Sequence, residues 1–395
     1  MNETLYLIHG NLITMEEQDY ADGYVIIRAG KIEALGNMED LPEIPLDAGI
    51  LDAEGSIVTP GLVDAHSHLG MWEDSLDFEG ADGNEDTDPV TPQLRALDGV
   101  NPQDRAFSEA ANAGVTTVIT GPGSANPIGG QLLAMKTSGI CADDMVIAEP
   151  VGIKAAFGEN PKSVYHEKNQ APSTRMGTAA IIREALYKAK EYLAQLEKHR
   201  DDPDETDRPE WDFKCEALLP LLRREIPLHA HAHRIDDIFT AIRLAREFNL
   251  KLILVHGTEA HLAAERLKQE GVPILSGPIL TDRSKPELRN QNEAAPAILI
   301  GSGIPTALIT DHPETPEKYL LLCAGTAVRE GLAPAAAMRA ITRVPAEICG
   351  LDKRVGSLKP GKDADLVIWR GNPPEMTARP RLVLCGGAPV HGRLV

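Results

Sequence analysis

Pro60-Gly61-Leu62-Val63-Asp64-Ala65-His66-Ser67-His68 decides how the chain reads. Ile57, Val58, Leu62 and Val63 give this stretch the apolar, β-branched character of a buried strand. Side chains two apart on a strand share one face. Asp64, His66 and His68 are therefore expected to point the same way at the strand's C-terminal end. Imidazole is the commonest protein metal ligand, and two on one face form half of a divalent-metal site. A polar strand end facing water is the plainer alternative. The apolar run before the pair, and the histidines that recur on later strands, argue against it.

Outward from this stretch, the texture alternates between strand and helix from about 58 to 350. Val115–Thr120 reads as a buried strand after a helical pattern at 102–113, and 145–156 as another strand region. A long helical pattern covers 175–199. His229-Ala230-His231-Ala232-His233 then places three histidines on one face of a short strand, followed by a helix at 236–247. Leu250–Val255 ends in His256-Gly257, and Thr306–Thr310 ends in Asp311, with helical patterns at 259–270, 292–302, 317–330 and 334–349. Such alternation implies parallel strands joined by crossover helices. Histidines and acids fall just after the apolar runs, at the strand ends where barrel enzymes keep their chemistry. An open doubly wound sheet would carry a Gly-rich phosphate turn after its first strand, where this chain has candidate metal ligands. The expected architecture is an α/β (β/α)8 TIM barrel.

Both ends of the chain differ from this middle. Short strands at 4–13, 24–29, 31–36 and 47–58, and again at 364–369, 381–385 and 389–395, predict one small composite β-sandwich built from both termini. The expected division is 1–57 and 351–395 for the sandwich and 58–350 for the barrel. Residues 73–88 form a polar loop rich in Asp and Glu, read as solvated, with a lid over the barrel mouth as the alternative. Asp201–Glu210 reads as a charged surface insertion. Lys154 stands among apolar neighbours, an expensive place for an ammonium unless something compensates.

Composition narrows the function. The 395 residues are 43% hydrophobic, enough for a large core, and the formal net charge of -20 argues against nucleic acid or an anionic membrane as partner. Five dispersed cysteines without a CxxC pair read as reduced thiols in a cytoplasmic protein. No secretion signal opens the sequence, and no apolar run approaches membrane-spanning length.

The chain resembles the amidohydrolase superfamily, especially its imidazolonepropionase-like and metallo-dipeptidase-like branch. The resemblance spans essentially the whole length. It rests on Pro60–His68, His231-Ala232-His233, Val255-His256-Gly257, Thr310-Asp311 and the tail Val355-Gly356-Ser357-Leu358-Lys359-Pro360-Gly361-Lys362-Asp363-Ala364-Asp365-Leu366. It implies a barrel with a terminal β-sandwich, a divalent metal and hydrolytic activity. His66, His68, His231, His256 and Asp311 match the family's metal ligands, and Lys154 matches the setting of a carboxylated lysine that bridges two ions. The long gap from Lys154 to His231 departs from the pattern, so one ion and two both stay open. Zinc is expected, with iron or manganese as alternatives.

These groups imply attack of metal-bound hydroxide on a C–N bond, with Asp311 taking the proton and returning it to the leaving nitrogen. His256 or His233 is expected to stabilise the oxyanion. Arg234, beside the histidine triplet, and Arg95 are the candidate forks for a substrate carboxylate, with Arg175 a third. The substrate class is a cyclic amide such as imidazolonepropionate, or a dipeptide or N-acyl amino acid. A deaminase of the same superfamily, or a catalytically silent scaffold, is the alternative. The expected partner is a small molecule, and relatives suggest a homo-oligomer.

Overall fold

A computed structural model describes residues 4–74 and 76–393. Strands from both ends of the chain join in one eight-stranded sheet. Its seam is Ile57–Pro60, which runs antiparallel to Leu366–Arg370 and parallel to Thr4–Leu12. Around them lie Tyr20–Arg28, Lys31–Asn37, Gly49–Asp52, Arg379–Cys385 and Ala388–His391. Leu7, Leu12, Val25, Val58, Leu366, Ile368 and Leu384 bury together between its surfaces as the core of a terminal β-sandwich. The expected last strand is shorter than 389–395, and residues 394 and 395 lie outside the described residues.

The middle of the chain forms an eight-stranded, nearly closed barrel. Its strands, in spatial and chain order, are Leu62–Ser67, Val115–Thr120, Ile128–Lys136, Val146–Ala156, Leu228–Ala232, Leu252–His256, Ile274–Ser276 and Thr306–Leu308. Backbone bonds between the first and last strand ends complete the ring, from Asp311 N–H to His66 O (3.2 Å) and from His68 N–H to His312 O (3.0 Å).

The barrel departs from uniform parallel alternation at its third strand. Ile128–Lys136 runs antiparallel to both neighbours, with Thr120 opposite Leu133 and Ile128 opposite Ala155. Seven residues join the second strand to the third, too few for a crossover helix, and Gly121, Pro122, Gly123, Asn126 and Pro127 suit a tight reversal instead. Sequence reading passes over this strand because Gly129-Gly130 interrupts it and Leu, Ala and Met dominate the remainder. Gly130 is needed there: at φ +141°, a Cβ would stand 2.7 Å from the Leu94 carbonyl oxygen.

Outside the ring, helices bury their apolar stripes against the strands. Arg105–Asn112 starts on an Asp104 cap that accepts from Ala106 N–H and buries Ala106, Phe107, Ala110 and Ala111. The long helix is Arg175–Asp201, capped by Thr174. The expected helix over 334–349 divides into Pro334–Arg339 and Arg343–Ile348, because Thr342 takes a non-helical conformation and Pro345 can begin a helix but not continue one. The charged stretch after the long helix is a loop, as its composition implies.

Candidate metal centre

The first strand carries its ligands differently from simple alternation. Pairing with the second strand shifts register between Asp64 and Ser67. Val63 and Ala65 pack with Ile253, Val255, Leu275 and Ala307, while His66 and His68 turn toward Asp311. Asp64 does not join them, which corrects the expectation that it shares their face. Its carboxylate accepts from His66 N–H (3.0 Å), Thr310 N–H (2.8 Å) and Thr310 Oγ1–H (2.7 Å). There it neighbours Glu317, which accepts from Ser67 Oγ–H at 2.7 Å. Burial pushes the Asp64 carboxyl up to about 6 and Glu317 well above the carboxylate range. This buried pair ties the first strand to the last, so it positions His66, His68 and Asp311 rather than adding to them.

Two groups of donors converge at the strands' C-terminal ends. His66, His68 and Asp311 each present one atom within 4.8 Å of the others, and His231, His233 and His256 do the same. Both His66 Nε2 and His68 Nε2 lie 3.3 Å from Asp311 Oδ1, and His256 Nε2 lies 4.0 Å from Asp311 Oδ2, which links the groups. His256 and Asp311 both adopt positive φ, +73° and +54°, as each chain segment turns off its strand. The far ring nitrogens are anchored outward. His68 Nδ1–H donates to Gly121 O and His256 Nδ1–H to Gly277 O, both at 2.7 Å. His231 Nδ1 pairs with Ser124 Oγ (2.8 Å), and His233 Nδ1 with Thr258 Oγ1 (2.7 Å). Each anchor turns Nε2 inward, the arrangement that metal-ligating histidines share.

Electrostatics suit a cation. Burial, then Lys154, drives His66 well below its ordinary pKa, and burial with neighbouring histidines does so for His231 and His233. Burial takes His256 down to about 4. His66, His231, His233 and His256 are therefore neutral, as ligands must be. Asp311 is held well below the carboxylate range because His256, His66 and His68 outweigh the cost of its burial. The Nε2 atoms of His231, His233 and His256 are buried without a hydrogen-bond partner. Orphaned buried nitrogens are rare, and their convergence on one space fits a divalent ion.

Lys154 is fully buried, with Nζ 3.0 Å from His66 Nε2. Burial brings its amine down to about 8. His229 lies beside it in register, fully buried, with neither ring nitrogen bonded. Above the two donor groups opens a cavity of about 440 Å³ lined by His68, His231, His233, Asp311, Trp72 and Lys285.

The expected arginine forks are not brought to this cavity. Arg95 forms a bidentate pair with Glu149 (2.7 and 2.9 Å), Arg234 pairs with Asp236 (3.0 and 2.8 Å), and Arg175 with Asp237. Each guanidinium is committed to a nearby carboxylate. The cationic lysine among the lining residues is Lys285, which sequence reading missed together with Glu287. Glu287 is buried, with Oε1 3.6 Å from His233 Nε2 and 3.9 Å from His231 Nε2. Both lie in the polar stretch between the last two strands, where no periodicity marks them. Their place after a barrel strand was the signal available.

The acidic loop contributes walls more than charge. Asn84 of the loop reaches the cavity, and Trp72, just before the loop, meets the His68 ring edge-on at 5.0 Å. No helix among the described residues is long and apolar enough to cross a membrane.

The amidohydrolase family profile matches residues 57–392. A crystal structure of an amidohydrolase from Thermotoga maritima MSB8 superposes with a TM-score of 0.93 at 41% identity, covering 98% of this chain and 100% of that one. Amidohydrolase tasK of Hapsidospora irregularis is 31% identical over 92% of this chain, but the chain spans only 39% of that protein's length. The imidazolonepropionase of Paracoccus denitrificans is 27% identical over 98% of both chains.

Proposed function

From the premise that the chain belongs to the amidohydrolase family, in its imidazolonepropionase-like branch, and is a hydrolase acting on carbon–nitrogen bonds, we propose that it hydrolyses an amide bond of a small molecule at a divalent cation. The substrate is a cyclic amide such as imidazolonepropionate, or a dipeptide or N-acyl amino acid. His66, His68 and Asp311 would hold one ion, and His231 and His256 would extend the site toward a second. Lys154, next to His66, would join the first group or, as its carbamate, contribute to both. Zinc suits these imidazole and carboxylate donors best, ahead of iron or manganese. The observation that carries this reading is the convergence of two buried donor groups, linked by Asp311, beneath one cavity.

When bound, the ion supplies Lewis acidity and brings the pKa of water toward neutral. Asp311 is the group placed to hold a proton and move it. It is ionised, and its Oδ2 faces His256 at 4.0 Å. In this role it accepts a proton from the attacking water and delivers it to the leaving nitrogen. His233 stacks on His256 at 4.6 Å with rings 19° apart. It is the imidazole that can donate to the carbonyl oxygen as it gains charge, since its Nδ1 can accept from Thr258 Oγ1–H whereas the His256 proton is held at Nδ1 by Gly277 O. His68 and Trp72, in edge-on contact at 5.0 Å, narrow the entrance. Arg95 and Arg234 do not line the cavity, whereas Lys285 does, so Lys285, paired with Glu287 at 2.9 Å, is the better-placed partner for a substrate anion.

The test is elemental analysis followed by a panel of cyclic imides, dipeptides and N-acyl amino acids, with the metal-stripped chain as control. Ring opening or amide cleavage that returns with added zinc supports the reading. Release of ammonia from an amino-heterocycle would replace it with deamination, and a metal-free, inactive chain would leave a scaffold. We further propose a cytoplasmic homo-oligomer.

A further inference from the structure

We propose that a second chamber, adjoining the catalytic cavity at Lys285, receives a carboxamide side chain of the substrate, which is therefore an N-acyl amino acid of the glutamine type rather than a compact cyclic amide. The inference rests on the metal-hydrolase reading above and selects among its substrates.

The chamber has a volume of about 300 Å³ and shares four wall residues, Asn84, Ser124, Asn160 and Lys285, with the 440 Å³ cavity over the donor groups. Small-molecule sites span about 300–1,000 Å³, so each space alone can hold a ligand group and the pair suits a ligand with two arms. One helix supplies most of the remaining wall. Gly158, at φ +87°, turns the chain off the fourth barrel strand into Glu159–Glu167. Ser163 stands three residues after Asn160 and four after Glu159, so the three share one helix face, and all of them line the chamber.

Lys285 is the partition. Its Nζ lies 2.8 Å from Asn160 Oδ1 and 2.9 Å from Glu287 Oε1, which fixes the ammonium where the two spaces meet. An ammonium carries three N–H donors. Asn160 and Glu287 take two, and the third is placed for the substrate's α-carboxylate.

Beyond the partition, the walls offer donors and one acceptor. Asn84 Oδ1 accepts from Ala125 N–H at 3.2 Å, and Asn160 Oδ1 accepts from Lys285. In both amides the N–H2 group is the end that remains for a ligand, and the Ser163 hydroxyl adds another donor. The Glu159 carboxylate accepts and repels an anion. A carboxamide has a carbonyl for the donors and an N–H2 group for Glu159, without a charge. A glutamate side chain would face Glu159, and a lysine side chain would pass Lys285. Ala125 and Val164 give the methylene stem an apolar wall.

The experiment measures kcat/KM of the zinc-loaded full chain for N-acetylglutamine, N-acetylalanine and hydantoin, and repeats it in Ser163→Phe. Ser163 is exposed on its helix, so the ring fills the chamber without entering the core. The wild type is expected to prefer N-acetylglutamine to N-acetylalanine by about tenfold, the worth of one or two net hydrogen bonds, and to prefer it to hydantoin. Ser163→Phe is expected to erase the first preference by raising KM for N-acetylglutamine, with N-acetylalanine unchanged. No preference in the wild type, a preference that survives in Ser163→Phe, an equal loss on both acyl substrates, or turnover of hydantoin alone overturns the proposal. A wild type that cleaves none of the three overturns instead the metal-hydrolase reading. The chamber is then judged by calorimetric titration with N-acetylglutamine: binding that Ser163→Phe weakens supports it, and binding left unchanged, or none, overturns it as well.

Discussion

Replacing Lys136 with methionine removes the charge that joins the barrel to the terminal sandwich. Lys136 ends the antiparallel third strand, and its side chain is 12% exposed. Its ammonium reaches Asp363 at 2.9 Å and also pairs with Asp365, both buried. Asp363 keeps Lys31 and Arg354, which are nearly half exposed, whereas Asp365 retains Gly386 N–H (2.8 Å) and no cation among the described residues. Breaking a buried pair by removing one partner costs about 3–5 kcal/mol. The surviving partners of Asp363 place the expected loss near the lower end, about 3 kcal/mol at pH 7. With an unfolding entropy of about 2.1 cal/mol/K per residue, that is a Tm decrease of about 4 °C. The pH dependence identifies the cause. In the wild type, Lys136, Lys31 and Arg354 outweigh burial and lower the Asp363 carboxyl from 3.8 to about 2. A depressed carboxylate contributes stability that is fully present above about pH 4 and lost as pH falls toward 2. Screening by solvent at the exposed partners keeps this to about 1 kcal/mol. In Lys136→Met the Asp363 carboxyl loses the largest of these lowering charges and titrates higher than in the wild type, so the deficit shrinks as acid neutralises it in both. Urea or thermal unfolding at pH 7 and pH 3 measures both. A deficit of the same size at the two pH values, or none at either, would falsify the role assigned to this network.

Other outcomes follow from single contacts. Asp311→Asn is expected to lower turnover by about 10³-fold, within the range for a lost general base, while His66 and His68 retain much of the metal; activity within tenfold of wild type on the best panel substrate would remove Asp311 from proton transfer. Gly61→Ala places a Cβ 2.1 Å from Thr116 Oγ1, so a loss of about 1–3 kcal/mol is expected from overpacking. Thr116→Ala should recover part of it in the double variant, and strictly additive unfolding energies would exclude the clash. Gly83→Ala sets a Cβ 2.0 Å from the Trp72 ring, which must then leave the edge of His68. KM is expected to rise several-fold with little change in Tm, and steady-state kinetics beside a melting curve decides.

What the sequence disclosed and what it withheld have different physical origins. Candidate ligands at strand ends were legible because burial imposes two constraints together: an apolar run, then a polar residue that cannot be hydrated. His66, His68, His231, His256 and Asp311 all obey that grammar, and the structure brings all five to one rim. Asp64 obeys it equally and belongs elsewhere, because a shift in register between Asp64 and Ser67 breaks the period-two rule that grouped it with the histidines. The tail motif was legible as a resemblance but not as a cause. Asp363 and Asp365 touch no part of the cavity, and they are where the sandwich is pinned to Lys136 of the barrel. Glu287 and Lys285 were hidden for the opposite reason. Their neighbours, from Gly277 to Gln291, have no hydrophobic period, so only tertiary packing selects which polar residues turn inward. Arg95 and Arg234 misled because a guanidinium's reach is long and its choice of carboxylate is local; each pairs with a nearby acid, Glu149 and Asp236. The strand grammar thus locates a candidate metal centre, whereas the loop residues that line its cavity are readable only once folded. Specificity in this chain is therefore best sought by varying the 277–291 segment while the strand-end ligands are held fixed.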